Sequence, residues 1–314
     1  MRAEQALEMV ARLGKKAPEL AAWQDEPPQM ASDTPGKKGY LHLGFARRGD
    51  RSVLLDMERH APSLVQKALY WDEAMPHMPC VFMISTSGCI LQGDRLALDI
   101  HVARDACAHV TTQSATKIHT MSHNYAAQLQ RISLEENSYL EFLPDPTIPH
   151  CGSRFLTETQ ITLHPTASLL YSEILSSGRK YHSADGGFAF DLYASYIRAQ
   201  LAGGTDIFSE RYALTPRCQP LNNIGIMGPF DVFGNVILLT PPRHRDAVLA
   251  RITPCYEPQK GIACGASLLP NQGGIIFKAL GKEACQVKQA IRSFWQAARE
   301  TITGAPLAAP FLWR

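Results

Sequence analysis

The sequence has no long apolar run, no block of one charge sign and no recognisable export signal. Its 314 residues contain no apolar stretch near the roughly 20 residues that a membrane-spanning helix needs. The 31 Lys and Arg residues nearly balance the 29 Asp and Glu residues, so no basic surface for nucleic acid or anionic lipid is indicated. The N-terminal residues mix Glu with Arg and Lys and lack the apolar core of a signal peptide. We therefore expect neither membrane nor nucleic acid among the partners.

The eight cysteines are scattered and form no motif. No pair makes a Cys-x-x-Cys, and none has the His partners of a zinc finger. In a chain without an export signal, isolated cysteines are expected to be reduced thiols, several of them buried as small apolar groups. This predicts a cytoplasmic protein. The cysteines are residues 80, 89, 107, 151, 218, 255, 264 and 285.

Motifs for covalent catalysis and phosphate binding are also missing, since the chain has neither Gly-x-Ser-x-Gly nor a nucleotide-binding glycine loop. Two histidine segments are candidate metal ligands. His119 and His123 have the spacing of two ligands on a helix, but their segment follows a strand and is predicted to be a loop. His150 and Cys151 are adjacent, which in a strand directs them to opposite faces. We expect no stable metal site from either pair, and no tightly bound cofactor.

Most of the chain has the short, alternating pattern of β-strands. Residues 1–38 contain a helix-permissive segment and then a Pro- and Gly-containing linker, so we predict an N-terminal extension before a β-domain of residues 39–314. No helix-length segment separates the strand candidates between 96 and 214, which excludes a doubly wound α/β fold. The clearest late strand candidate is 188–197. Helical spacing appears at 243–252 and 282–302, with Gly304 as the stop signal of the second helix.

Three unusual blocks follow one another between residues 93 and 144. The first is Gly93-Asp94, which leads into an alternating strand. The second is the polar run Thr-Thr-Gln-Ser-Ala-Thr-Lys at 111–117, where the strand pattern predicts core. The third is Leu-Glu-Phe-Leu-Pro at 140–144. Because buried polar groups must be hydrogen-bonded or solvated, these blocks predict either a satisfied polar network or a wet internal passage.

In this order the blocks resemble the signature of the urease accessory protein family UreD, called UreH in some organisms. The resemblance covers roughly residues 39–314. The order of the second and third blocks is its most specific part. Further matching positions are the segment 39–70, Glu173, Gly178, Arg179, Trp295, Arg299, Gly304 and Trp313.

The resemblance implies a mainly β fold: a single domain of stacked β-helical layers with a few α-helices. It implies a non-enzymatic urease maturation factor, a scaffold that binds apo-urease and passes Ni²⁺ to it through an internal tunnel. The implied partners are UreF, the GTPase UreG acting through UreF, and the urease structural subunits. Ni²⁺ is then cargo in transit. Weakly binding oxygen ligands suit such a passage, because a transported ion must leave as easily as it enters.

Acidic positions in or near the matched blocks are the candidate nickel-passage residues. Glu141 is the first of them, because the strand period turns it away from its apolar neighbours and a buried carboxylate needs water or a cation. A structural salt bridge, with Lys117 or Arg179 as the natural counter-charge, or an exposed position is the alternative. Asp185 takes the place of a family carboxylate that this chain lacks after Arg179. The full candidate set is Asp94, Lys117, Glu141, Asp145, Glu173, Arg179 and Asp185.

The residues leave two other functions open. One is a β-helical enzyme that acts on a polar substrate with Glu141 and Asp145 as paired carboxylates. Four residues along an extended strand span ~13 Å, more than the ~6.5–9.5 Å of an inverting pair, although a turn at Pro144 shortens the distance. The other is a purely structural subunit.

Overall fold

Two β-sheets lie face to face in the computed structural model, which describes residues 2–25, 38–181 and 187–309. Their strands alternate in side-chain direction: the strand Arg95–Val102 directs Leu98, Ile100 and Val102 into the apolar cluster between the sheets. The expected mainly β chain with a few helices is confirmed. The strands are β1 (Lys38–Arg48), β2 (Arg51–His60), β3 (Ser63–Leu64), β4 (Cys80–Ser85), β5 (Arg95–Val102), β6 (Cys107–Thr112), β7 (Thr116–Ile118), β8 (Ala126–Leu134), β9 (Tyr139–Phe142), β10 (Thr147–Pro149), β11 (Arg154–Leu163), β12 (Ser168–Ser176), β13 (Leu192–Leu201), β14 (Asp206–Leu214), β15 (Val232–Leu239), β16 (Cys255–Glu257), β17 (Ile262–Leu268) and β18 (Gly274–Gly281).

The strand order of the first sheet is β14-β13-β11-β8-β5-β1-β2. That of the second is β16-β17-β18-β15-β12-β9-β6-β4-β3, and the short β10 pairs with both β12 and β7. From β4 to β13 the longer strands alternate between the sheets, and neighbours within each sheet run parallel. The flanking pairs, such as β13 with β14 and β12 with β15, are antiparallel. Because both sheets are mixed, the stacked β-helical layers implied by the resemblance are not confirmed.

Three α-helices accompany the sheets in the described residues, and the C-terminal one lies close to its predicted range of 282–302. It ends at Gly304, whose φ of 72° places it in the left-handed region that glycine adopts freely. None of the described helices is long and apolar enough to cross a membrane. The helices are α1 (Arg2–Arg12), α2 (Pro242–Leu249) and α3 (Ala284–Thr303), with short 3-10 segments at Pro18–Trp23, Pro258–Lys260 and Pro270–Gln272.

The second sheet separates two environments, as β12 shows. Leu169 and Tyr171 belong to the apolar cluster between the sheets. Leu170 and Ile174 point the other way and pack with Phe294 of α3 on the outer face. Successive strand residues alternate in direction, so odd-numbered positions of β12 face the first sheet and even-numbered positions face α3.

The N-terminal helix α1 packs on the outer face of the first sheet. Ala6 and Leu20 are buried in a cluster that includes Tyr125 and other side chains of this face. The described N-terminal residues, 2–25, are thereby joined to the sheet by apolar packing. Residues 26–37, most of the predicted linker, lie outside the described residues, and the division of the chain near 38 stays a prediction.

Strand β13 begins later than the predicted segment 188–197, which is a correction. Phe188 has a φ of 61°, which is incompatible with an extended strand. Its ring lies edge-to-face with that of the buried Phe190, with centroids 6.4 Å apart. The apolar residues at the start of the predicted segment therefore pack as a turn that precedes the strand.

Candidate functional site

Glu141 lies at the centre of a buried hydrogen-bond network between the second sheet and α3. Arg299 donates to both carboxylate oxygens, from Nε to Oε1 at 2.7 Å and from Nη2 to Oε2 at 2.6 Å. Trp295 Nε1 and the Tyr139 hydroxyl each donate to Oε1 at 2.7 Å, and His109 Nδ1 lies 2.8 Å from Oε2. The carboxylate is fully buried and joins α3 to β9.

The hydrogen bonds of this network keep Glu141 ionised. Burial by itself raises the pKa of Glu141, but the hydrogen bonds from Arg299 and His109 outweigh it and lower the pKa to about 2. Arg299 is also buried and contacts a second buried carboxylate, that of Asp72. The rings of His109 and Trp295 stack with centroids 5.2 Å apart. Glu141 is thus an ionised member of an ion-pair network at neutral pH.

The sequence favours Lys117 or Arg179 as the counter-charge of Glu141, and this expectation is wrong. Both side chains are exposed, and Arg299, 158 residues away in the sequence, forms the ion pair. The sequence does contain one signal for it. Arg299 follows Phe294 and Ala298 on the apolar stripe of α3, and a cation on such a stripe requires a buried anionic partner.

Glu173 lies between the two sheets. Its carboxylate accepts hydrogen bonds from the hydroxyl groups of Tyr171 at 2.9 Å, Ser195 at 3.0 Å and Tyr212 at 3.3 Å. Within 2–25, 38–181 and 187–309, no basic side chain forms an ion pair with it. Burial raises the pKa of Glu173, and the three hydroxyl groups offset this effect only in part. Glu173 is therefore a buried carboxylate held by neutral groups.

Glu141 and Glu173 face opposite sides of the same sheet. The register of β9 with β12 pairs Glu141 with Leu170, so Glu141 shares the outer face with the even-numbered residues of β12. Glu173 is odd-numbered and points to the first sheet. Two residues of the predicted passage therefore lie in different environments, one under α3 and one between the sheets.

A lateral row of polar side chains crosses the first sheet at the level of Glu173. Strand register places Gln128 beside Thr157, Thr157 beside Ser195, and Ser195 beside Tyr212. Each belongs to the face of its strand that is directed toward the second sheet, since neighbours two positions away lie in the inter-sheet clusters. Ser195 and Tyr212 donate to Glu173 from this row. The interior thus contains a polar layer that extends over four strands.

The two ends of this row differ. At one end Gln128 lines a cavity of about 160 Å³ together with Gln113 and Lys117 of the second block. At the other end is Tyr212 on the edge strand β14, two positions along the strand from Glu210, which forms an ion pair with Lys278 at 2.5 Å. The row therefore begins beside a cavity at the Thr-Thr-Gln motif and ends near a partly exposed charged pair.

Two buried amide oxygens near the row accept no hydrogen bond from the described part of the chain. They are Gln130 Oε1 and Asn235 Oδ1. Their amide nitrogens are used, since Gln130 donates to Thr157 Oγ1 at 3.5 Å and Asn235 donates to Glu210 at 2.7 Å. The space between the sheets is thus lined by carboxylate, hydroxyl and amide oxygens, the hard ligands that hydrated divalent cations accept.

The two threonines of the second block hold the third block in place. Thr111 Oγ1 donates to the Leu143 carbonyl oxygen at 2.8 Å, and Thr112 Oγ1 accepts from the Asp145 backbone N–H at 2.9 Å. Parallel pairing of β6 with β9 brings the two blocks side by side. The sequence predicts either a satisfied polar network or a wet internal passage for these blocks. The contacts between the second and third blocks are those of a satisfied polar network.

Asp145 lies at the edge of a groove between the second sheet and α3. Its Oδ1 forms an ion pair at 2.9 Å with Lys288, whose side chain is 44% exposed. The groove has a volume of about 470 Å³ and is also lined by Trp71 and Trp295. Asp145 is therefore a boundary residue with a solvated partner.

Replacing Asp145 by Asn should lower the free energy of unfolding by less than about 1 kcal/mol, because exposed ion pairs contribute little. Chemical denaturation of the wild type and the variant measures the difference. A loss of several kcal/mol would contradict the assignment of Asp145 to the solvated boundary.

Asp94 closes a turn. Its Oδ2 accepts a hydrogen bond from the Leu91 backbone N–H at 2.8 Å, directly after Gly93 with a φ of 80°. The first block is thus a structural turn at the start of β5. Asp185, the remaining acidic candidate, lies outside the described residues.

Gly178 allows a close approach of two chain segments. Its φ is 106°, and a Cβ atom there would lie 2.5 Å from the Pro149 carbonyl oxygen. Only glycine fits, which accounts for Gly178 among the positions that match the family. It places Arg179 on the surface beside the end of β10.

The histidine candidates form a different pair from either expected one. The rings of His119 and His150 have centroids 5.7 Å apart. Burial, followed by the positive charges of Arg179 and Lys117 and by His119, lowers the pKa of His150. The same charges oppose a divalent cation. In the described residues, which include His123 and Cys151, no group of three or more His, Cys, Asp or Glu side chains is placed to hold a metal ion.

Comparison with known proteins gives one consistent family. The family model described as UreD urease accessory protein matches residues 37–314. The chain is 65% identical over 310 residues to urease accessory protein UreD of Photorhabdus laumondii subsp. laumondii, which covers 99% of this chain and 97% of the relative. It is 59% identical over 302 residues to UreD of Yersinia pseudotuberculosis serotype O:1b, covering 96% and 94% of the two chains. The chain therefore belongs to the UreD family of urease accessory proteins.

Proposed function

We propose that this chain is a non-enzymatic urease maturation factor that binds apo-urease and conducts Ni²⁺ to it. Family membership supports the role in urease maturation. The observation that carries the nickel part is Glu173, a buried carboxylate surrounded by hydroxyl groups and without a basic partner among the described residues. Such a group attracts a passing cation without already being neutralised.

The proposed passage follows the lateral polar row between the sheets. It would begin at the cavity beside Gln128 and Lys117, pass Glu173, and end near Glu210. Single oxygen ligands along this row bind Ni²⁺ more weakly than a set of imidazole and thiolate ligands, so the ion is not trapped. Glu141 is not part of this route, because it is already bound by Arg299 on the other face of the sheet. Its proposed role is to hold helix α3 against the second sheet through Arg299 and Trp295.

The proposed partners are those implied by the family resemblance: UreF, UreG through UreF, and the urease structural subunits. The cytoplasm is the proposed location, as expected from the scattered reduced cysteines. The alternative, an enzyme with Glu141 and Asp145 as paired carboxylates, is less well supported. Glu141 has a pKa of about 2 and is held by Arg299, so it cannot serve as a general acid near neutral pH.

Omission of this chain from cells that express urease and the other accessory proteins should leave urease almost free of nickel and activity. Supplying the chain should restore both in proportion to its amount, because a scaffold acts as a stoichiometric member of a complex. Nickel analysis of purified urease and co-purification through a tag on UreF measure the two parts. Full restoration by trace amounts of the chain, without a complex, would favour the enzyme alternative.

A further inference from the structure

Cys255 and Cys264 lie directly opposite each other on the edge hairpin of the second sheet. They are paired residues in the antiparallel register of β16 with β17. Their Sγ atoms are 3.3 Å apart, and both are free thiols. The two cysteines are nine positions apart in the sequence, so the hairpin itself brings them together.

The backbone of this pair is already arranged for a disulfide bond. Opposite residues of an antiparallel ladder have Cα atoms about 4.5–5.5 Å apart. This range lies within the roughly 4.4–6.8 Å that disulfides require. Both cysteines are partly exposed and line a groove of about 400 Å³ between the hairpin and α3. A small oxidant can therefore reach the sulfur atoms.

We propose that Cys255 and Cys264 are a modification site at which a hydroperoxide forms an intramolecular disulfide. One thiolate attacks a peroxide oxygen and breaks the O–O bond, which gives a sulfenic acid and a hydroxide ion that takes up the proton lost by the thiol and leaves as water. The second thiol then attacks the sulfenic sulfur, forms the S–S bond and expels a second water molecule. Two thiols lose two electrons in total, and one peroxide gains them.

The order of the two attacks follows from the surroundings of Cys264. Burial, together with the neighbouring Cys255, raises the pKa of Cys264 to about 11, so its thiolate is scarce near neutral pH. The first attack is therefore assigned to Cys255, and Cys264 resolves the sulfenic acid. This chemistry does not depend on the proposed role in nickel delivery.

The other cysteines provide an internal comparison. Cys218 and Cys285 are exposed, and no sulfur of another described cysteine is recorded in contact with either. They can be oxidised singly, but among the described residues neither has a neighbouring thiol that could resolve a sulfenic acid. A cross-link confined to the hairpin therefore distinguishes the proposed site from general thiol oxidation.

Tryptic digestion separates the two cysteines, because Arg251, Lys260 and Lys278 delimit peptides 252–260 and 261–278. The full-length chain, alone or in its complex, is treated with one equivalent of hydrogen peroxide, alkylated and digested. We expect nearly all of both peptides to be joined, two hydrogens lighter than their sum, and to be released by dithiothreitol. Both peptides alkylated separately, or carrying sulfinic acid without a cross-link, would overturn the proposal.

Two variants complete the test. Cys264→Ser should abolish the cross-link and leave a sulfenic acid on Cys255 that dimedone traps, whereas Cys218→Ser should leave the cross-link unchanged. Joined peptides found only in covalent dimers on a non-reducing gel would also overturn the proposal, because they would show bonding between chains.

Discussion

Replacing Glu141 by Gln should lower the free energy of unfolding by about 3–5 kcal/mol, the usual loss when one partner of a buried ion pair is removed. Gln keeps the shape of the side chain but removes the charged partner that binds two guanidinium nitrogens of the buried Arg299, which is then left with Asp72 alone. Its amide nitrogen also replaces an oxygen that now accepts hydrogen bonds, so donors face a donor. Denaturant unfolding, followed by circular dichroism, measures the loss.

The exposed pair of Asp145 with Lys288 supplies the matched control, because Asp145→Asn removes the same charge at the border of α3. Arg299→Met combined with Glu141→Gln should cost less than the sum of the two single changes, since the two side chains interact directly. Wild-type stability of Glu141→Gln would contradict the structural assignment. If such a variant also delivered less nickel, Glu141 would return to the proposed passage.

The contribution of Glu141 to the free energy of unfolding should decrease as the pH is lowered. Its pKa is lowered from an ordinary value of 4.5 to about 2 in the folded protein. The stabilisation is therefore complete above pH 4.5 and is lost as the pH falls toward 2. The difference in unfolding free energy between the wild type and Glu141→Gln should shrink across that interval. A difference that stays constant would show that the folded protein does not favour the ionised carboxylate.

Replacing Glu173 by Gln should have the opposite profile: little change in stability and a large loss of nickel delivery. The pKa of Glu173 is raised, so this group stabilises the fold at low pH and that contribution is lost as the pH rises through its folded pKa. A neutral Gln at pH 7 therefore removes no favourable charge. If Glu173 attracts Ni²⁺ in the passage, delivery should fall on the order of tenfold, equivalent to about 1.4 kcal/mol. The measurements are urease nickel content and activity.

Two controls make this result specific. Glu173→Asp keeps the charge and should retain most of the delivery, and Tyr212→Phe removes one hydroxyl donor while leaving the carboxylate. Binding of UreF and apo-urease should be the same for all three variants. Normal nickel loading with Glu173→Gln would remove this residue from the passage and would leave family membership untouched.

The local sequence pattern was sufficient to predict secondary-structure elements. The spacing of apolar residues in 282–302 and the following Gly304 predicted α3, observed at Ala284–Thr303, because helix periodicity and its stop signal are properties of neighbouring residues. The alternation around Glu141 likewise predicted that it points away from Leu140 and Phe142. The order of the polar blocks was sufficient to identify the UreD family. The false start of the strand at 188–197 shows the limit, since buried turn residues have the same composition as a strand.

The partners of each polar side chain were decided by the tertiary structure. Which cation meets Glu141 depends on how α3 lies across the second sheet, 158 residues further along the chain. Whether Glu141 and Glu173 share a cavity depends on the register of β9 with β12. The sequence of one strand does not specify its register with another strand. Because alternation fixes only the two faces of a strand, and not what covers each face, the sequence by itself determined the elements and the family. Packing alone decided that Glu141 pairs with Arg299 under α3 and that Glu173 lies in the polar interior between the sheets.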